Sequence, residues 1–230
     1  MLCVTPSIDP KIATLAPGFR ALSIAVTAAP VENPHVGQQA LNHACAVAAK
    51  GGAPWAQAHL AAWDEVFKAF GAKPKRTPCS AAALLKRVQR DGILPAIDPV
   101  VDLYNAISIE YAIPVGGENI AAYVGEPRLK IANGTELFDT VKEGELSHEL
   151  PEPGEVVWCD DKGVTCRRWN WRQGVRTRLC ADDERMWFIL ESLPEMPLDA
   201  LQEAGDKLCE GLIRMMPGAS ISKTLIGVQA

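Results

Sequence analysis

A change of pattern near residue 114 limits the folds that this chain can adopt. Residues 35–111 place apolar side chains at helical spacing, whereas residues 128–191 contain short runs of β-branched and aromatic residues separated by turns. No internal repeat separates the two halves, and 230 residues with 48% hydrophobic content suffice for one large core. We therefore predict an α/β (α+β) fold with a mixed sheet and flanking helices.

We expect residues 1–230 to form a single domain. Its core covers about residues 20–195, and a C-terminal helix and strand at 197–228 pack on it. Four earlier segments show the helical pattern: residues 35–50, 55–70, 80–91 and 99–111.

Helix boundaries are readable from single residues. Gly71 ends the second helix, and Asp98 and Pro99 cap and start the fourth. His59 shares the aromatic face of the second helix, which favours a packed histidine over a catalytic one.

The predicted strands cover residues 21–27, 128–132, 155–159, 164–171 and 186–191. Pro114 to Gly117 reads as a turn where bare backbone approaches a ligand. Asp160 and Asp161 lie in a hairpin turn, so they are predicted to form the turn and not to bind a metal.

Residues 166–178 combine five arginines and two tryptophans without an acidic residue. Guanidinium groups stack on indole rings and form forked hydrogen bonds with carboxylates and phosphates. The run is therefore typical of a surface that binds an anionic or aromatic ligand. The alternative is a strand whose charges are satisfied within the protein, and we favour binding.

The sequence gives no support for several other classes of protein. The seven cysteines are scattered without C-x-x-C pairs, and only four histidines are present, so neither metal nor cofactor is predicted. Nucleophile-elbow, P-loop and zinc-protease motifs are missing. The N-terminus lacks a signal-peptide pattern and no apolar stretch is long enough to span a membrane, so we expect a cytoplasmic protein.

The charge distribution permits only local contact with nucleic acid. The net charge is −5, yet the seven charged residues from Lys68 to Arg90 are all basic. Taken alone, this region is best read as a solvated helix face and loop.

Two strings in the chain resemble a known family. Pro99-Val100-Val101-Asp102-Leu103-Tyr104-Asn105, followed by Pro114, resembles the signature of the B3/B4 domain of the phenylalanyl-tRNA synthetase β subunit. The resemblance covers roughly residues 20–195. The string Arg167 to Arg172 is closer still to free-standing B3/B4-like proteins.

In the synthetase, this domain hydrolyses tyrosine wrongly esterified to tRNA. The family asparagine falls on Asn105, whereas its threonine falls on Tyr104 and its turn histidine on Gly116. A glycine-rich loop of the family corresponds to Trp169–Gln173, which is bulky and charged here. The resemblance therefore implies the location of the site more than its specificity.

The predicted function is binding of aminoacyl-tRNA by a stand-alone domain, with hydrolysis of a mischarged ester in trans. The alternative is a binder of an amino-acid-like small molecule without tRNA activity. No catalytic residue and no oligomeric state are assigned. The predicted substrate-binding residues are Tyr104, Asn105, Gly116, Gly117, Arg167, Arg168, Trp169, Asn170, Trp171 and Arg172.

Overall fold

The computed structural model describes residues 2–227. Its helices are α1 (Ile12–Leu15), α2 (His35–Ala49), α3 (Ala56–Ala69), α4 (Ser80–Asp91), α5 (Pro99–Tyr111) and α6 (Leu198–Met215). Its strands are β1 (Ser7–Ile8), β2 (Arg20–Thr27), β3 (Val115–Asn119), β4 (Arg128–Ile131), β5 (Phe138–Lys142), β6 (Glu145–Glu149), β7 (Val156–Cys159), β8 (Val164–Arg167), β9 (Arg172–Gln173), β10 (Arg185–Ser192) and β11 (Ser220–Gly227).

The strands form two sheets. The smaller sheet is antiparallel, in the order β11-β2-β10-β3. The larger sheet is mixed, in the order β1-β4-β7-β8-β5-β6, with β9 paired to β8. In β10, Ile189 lies opposite Gly116 of β3, and Trp187 lies opposite Glu118. This register places these four residues on one face of the smaller sheet.

The smaller sheet has a hydrophobic core on each face. On one face, Met186, Phe188 and Leu190 of β10 pack in the same cluster as residues of α5 and α6. On the other face, Trp187 and Ile189 share a cluster with α3 and with strands of the larger sheet. Strand β10 therefore separates the two cores and is buried on both sides, apart from Arg185 at its start.

The predicted α/β architecture, its mixed sheet and its main helices are confirmed. The predicted strand 164–171 is wrong beyond Arg167, because Arg168 and Trp169 have φ angles of 46° and 65°. The predicted turn at Pro114 to Gly117 is the start of β3 instead. The predicted final strand ends at Gly227 within the described residues, and Val228 lies outside them.

Among residues 2–227, no helix combines the length and apolar character required to cross a bilayer.

Candidate functional site

A cavity of about 260 Å³ lies between α4, α5, the β3–β10 pair and the turn that joins β8 to β9. Its lining is largely apolar and includes five aromatic side chains and two glutamates, Glu118 and Glu191, but no lysine, arginine or histidine. Half-exposed lining residues, among them Leu84, Asn105 and Trp171, mark its mouth. The aromatic lining residues are Tyr104, Trp158, Trp169, Trp171 and Trp187.

Helix α5 and strand β3 form one wall. Asp98 caps α5 by accepting hydrogen bonds from the amides of Val100 and Val101, at 2.9 and 3.2 Å. The ring of Tyr104 lies directly over β3, where a Cβ on Gly117 would come within 2.7 Å of it. Glycine at 117 therefore lets the helix approach the strand this closely.

The turn between β8 and β9 forms the opposite wall. Two consecutive non-glycine residues, Arg168 and Trp169, are in the left-handed region, which costs about 1–2 kcal/mol each. Buried contacts offset this cost, because the Trp169 indole packs edge-on against Phe19 and Trp63 at 5.1 and 5.3 Å between ring centroids. The backbone of Asn170 also accepts a hydrogen bond from the Ser80 amide at 3.2 Å, which ties the turn to α4.

Glu191 holds the tryptophan wall in place. Its Oε1 accepts hydrogen bonds from the indole nitrogens of Trp158 and Trp169, both at 2.9 Å, and its Oε2 accepts one from the Asn170 amide at 3.0 Å. Burial raises the pKa of Glu191 to about 7, although the three donors favour the ionised form. Glu191 therefore positions three lining side chains while its own oxygens are occupied.

Glu118 is the less satisfied of the two carboxyls. It is only 4% exposed, and its Oε2 has no hydrogen-bond partner among the described residues. Burial raises its pKa to about 8, and the neighbouring Thr177 and Gln173 side chains oppose that rise only in part. This carboxyl therefore has neutral polar neighbours but forms no ion pair within residues 2–227.

The three arginines predicted to bind substrate lie outside the cavity lining. Arg167 forms a forked ion pair with buried Glu155, at 3.0 and 2.9 Å, and a second pair with Glu149 at 2.9 Å. Arg168 lies over the Trp171 ring at 4.7 Å, and Arg172 donates to Thr140 at 2.6 Å. All three arginines therefore have partners within the protein, and their contact with a ligand remains a prediction.

The other seven predicted residues all line the cavity. They are Tyr104, Asn105, Gly116, Gly117, Trp169, Asn170 and Trp171. The predicted pairing of the α5–β3 segment with the Trp169–Trp171 turn is thus present in the fold, and their role in binding remains a prediction.

Sequence reasoning missed both glutamates. Glu191 comes at the end of an otherwise apolar run that starts at Met186. Glu118 follows two glycines in β3, and the register places it on the same face of the sheet as Trp187 and Ile189. An acidic residue inside a buried strand must either have a compensating partner or serve a function. The position of each glutamate in a strand-like run could therefore have identified it from the sequence. Trp158, Trp187 and Gln173 were also missed as lining residues.

His59 is a packed histidine, as predicted. It is fully buried, its Nδ1 lies 2.9 Å from the Ala112 carbonyl oxygen, and its Nε2 accepts from the Leu193 amide at 3.1 Å. Both nitrogens are therefore occupied, and burial lowers its pKa. Within residues 2–227, no cluster of three or more histidine, cysteine or acidic side chains is arranged to hold a metal ion.

The two-sheet α/β fold of this chain has a counterpart among solved structures. One similar solved structure is an N-terminal fragment of the phenylalanyl-tRNA synthetase β subunit from Pyrococcus horikoshii, with a TM-score of 0.53 and 10% sequence identity. The match covers 100% of this chain and 55% of that fragment. No curated protein matches the sequence.

Residues 62–199 match the B3/4 domain family, so the chain belongs to that family. The matched segment includes α4, α5, β3 and β10, and therefore every wall of the cavity.

Proposed function

We propose that this B3/4 domain binds aminoacyl-tRNA, with the aminoacyl group in the cavity and tRNA phosphates on the adjacent basic surface. The observation that carries the proposal is a lining with two buried carboxyls and no basic side chain. A free amino acid would bring an uncompensated carboxylate next to Glu118 and Glu191. An aminoacyl ester has a cationic amine but no carboxylate, so it complements the lining better.

The basic surface starts beside the cavity. Ala83 and Leu84 of α4 line the cavity, and Arg87 follows them by one turn on the same helix face. Arg87 lies about 10 Å along the helix from Ser80. The exposed basic residues of this surface form no ion pairs within the described part of the chain: Lys73, Lys75, Arg76, Lys86 and Arg87.

Hydrolysis of a mischarged ester is a second step of the proposal. The cavity contains no arginine to polarise the ester carbonyl. It does contain two carboxyls whose pKa values burial raises to about 7 and about 8, which is the range suited to a general acid or base near neutral pH. Release of amino acid from a panel of mischarged tRNAs, compared with spontaneous release, tests this step.

Retention of tRNA on the protein at low and moderate salt tests the binding proposal. Reversing two charges beside the cavity, Lys86→Glu with Arg87→Glu, should weaken retention of tRNA. The slope of the logarithm of the binding constant against the logarithm of the salt concentration should also become less negative, by roughly 0.9 for each phosphate that the protein no longer neutralises. The matched control is Lys11→Glu with Lys142→Glu, which changes two exposed basic residues away from the cavity. Equal retention by the two double variants, or no retention at low salt, contradicts the proposal.

The alternative function is binding of an amino-acid-like molecule without tRNA. The net charge of −5 and the internal pairing of Arg167, Arg168 and Arg172 favour it. Thermal stabilisation by amino-acid derivatives, combined with no tRNA retention at low salt, supports this second function over the first.

A further inference from the structure

Three buried polar atoms that belong to cavity-lining residues lack hydrogen-bond partners. They are Oε2 of Glu118, Oδ1 of Asn170 and Oγ of Ser80. Leaving such an atom unpaired costs about 1–3 kcal/mol, so three in one cavity indicate a site completed by a ligand. Because the Asn170 amide nitrogen donates to Glu191, its Oδ1 is left to accept. Two of the three atoms are therefore acceptors that need donors.

Glu118 forms no ion pair with any residue that the structure describes. Arg178 lies opposite it in an isolated β-bridge, but the Arg178 side chain is exposed and makes no ion pair with Glu118. Arg176 is the basic group that most affects its charge, but Arg176 forms a forked pair with Asp160, at 2.8 Å for both contacts. Tyr104 and Asp160 also face Glu118, and neither supplies positive charge. The compensating charge is thus left to a ligand.

The two acceptors occupy different parts of the cavity. Glu118 lies opposite Trp187 on β10, whereas Asn170 is held by Glu191, four residues farther along the same strand. Four residues of a strand span about 13 Å. Trp187 lies opposite Glu118. Trp169 donates to Glu191 beside Asn170, so an indole accompanies each position. Indole surface suits a methylene chain and attracts a cation.

We propose that the cavity selects an aminoacyl group with a long basic side chain, of the lysine type. The side-chain ammonium binds the Glu118 carboxylate, the α-amine donates to Asn170 Oδ1, and the methylene chain packs against the tryptophans. This inference rests on the proposed function, because it names the aminoacyl class that the cavity accepts. Gly116 contributes by leaving open the space beside Ile189, whose Cγ2 would lie 3.2 Å from an added Cβ.

Calorimetric titration with L-lysinamide and L-norleucinamide tests the inference. The two amides have the same chain length and no carboxylate, and they differ in the terminal ammonium group. Wild-type protein should bind lysinamide about tenfold or more tightly than norleucinamide, as expected for one charge-assisted hydrogen bond. Glu118→Gln should abolish most of this difference, because it weakens lysinamide binding far more than norleucinamide binding.

The matched control is Glu65→Gln, which removes an exposed carboxylate on α3 and should keep the lysinamide preference. Equal affinity for the two amides, no binding of either, or an undiminished preference in Glu118→Gln overturns the inference. The tRNA retention assay is independent of these titrations. Salt-sensitive retention without a lysinamide preference rejects the basic side chain and leaves the proposed function standing, whereas loss of retention rejects the proposed function itself.

Discussion

The carboxyl of Glu118 makes protein stability depend on pH. Its pKa rises from 4.5 in the unfolded chain to about 8 in the fold, because burial disfavours the charged form. Protonated Glu118 therefore contributes stability that is complete below about pH 4.5 and is lost as the pH rises through about 8. A neutral side chain of the same shape should not show this loss.

We therefore expect Glu118→Gln to be more stable than wild type at pH 9, by about 2–4 kcal/mol, and nearly equal to it at pH 5. Urea unfolding at pH 5, 7 and 9 measures the difference. Glu191 titrates in both proteins, so the difference between them isolates Glu118. Glu65→Gln is the control, and a stability gap that does not change with pH would contradict the assignment.

At the level of elements, the β8–β9 turn combines backbone strain with buried charge. Arg168 and Trp169 adopt left-handed conformations, and the Arg168 amide donates to Oε1 of Glu155 at 3.0 Å. The same carboxylate accepts the forked pair from Arg167. Glu155 therefore fixes both the end of β8 and the start of the turn that carries the cavity wall.

Removing one partner of the Arg167–Glu155 pair should lower the free energy of unfolding. Arg167→Met leaves Glu155, which is 3% exposed, without its forked partner and with only the longer 3.7 Å contact to Arg168, and we expect a loss of about 3 kcal/mol in the free energy of unfolding. The double variant Arg167→Met with Glu155→Met should recover much of that loss, because the buried carboxylate is removed together with its guanidinium partner. Urea unfolding of the two single variants and the double variant forms the cycle.

Arg90→Met is the matched control for this cycle. Arg90 pairs with Asp91 on the exposed surface of α4, where the side chain of Arg90 is 71% exposed, so its removal should change stability by about 0.5 kcal/mol or less. Additive effects of Arg167→Met and Glu155→Met would show that the buried pair does not hold the turn.

Local sequence patterns predicted the elements that depend on local interactions. The aromatic spacing from Trp55 to Phe67 and the stop at Gly71 predicted α3 to within two residues, because its buried face repeats at the helical period. The β5–β6 hairpin was missed because β6 is an exposed edge strand with little alternation, including Leu146 at 80% exposure. The Glu143-Gly144 turn, with φ angles of 54° and 87°, was its one available signal.

The location of the site could be predicted from the sequence, but the charged groups that line it could not. The α5–β3 segment and the Trp169–Trp171 turn were identified from local strings, and the fold brings them together around one cavity. The partners of Arg167 lie 12 and 18 residues away in sequence. Ion pairs of that kind depend on the register between strands, so composition alone could not show that these arginines are already occupied.

At the level of the whole molecule, the shared sheet determines whether the chain unfolds as one unit. The smaller sheet has α6 and α5 on one face, and α3 with the larger sheet on the other. Leu208 of α6 is fully buried in the first core, whereas Trp63, Trp169 and Trp187 are buried in the second. Since β10 belongs to both, we propose that the two cores form a single cooperative domain.

Leu208→Ala tests this proposal. Truncating the side chain should cost about 2–5 kcal/mol, because it leaves a cavity in the core formed with α6. In a single domain, far-ultraviolet circular dichroism and tryptophan fluorescence should shift to the same lower urea midpoint, although the fully buried tryptophans lie in the other core. Leu146→Ala, at an 80% exposed position on β6, is the control and should leave both midpoints in place. A fluorescence midpoint that stays at the wild-type value while the dichroism midpoint falls would mean that the two cores unfold independently.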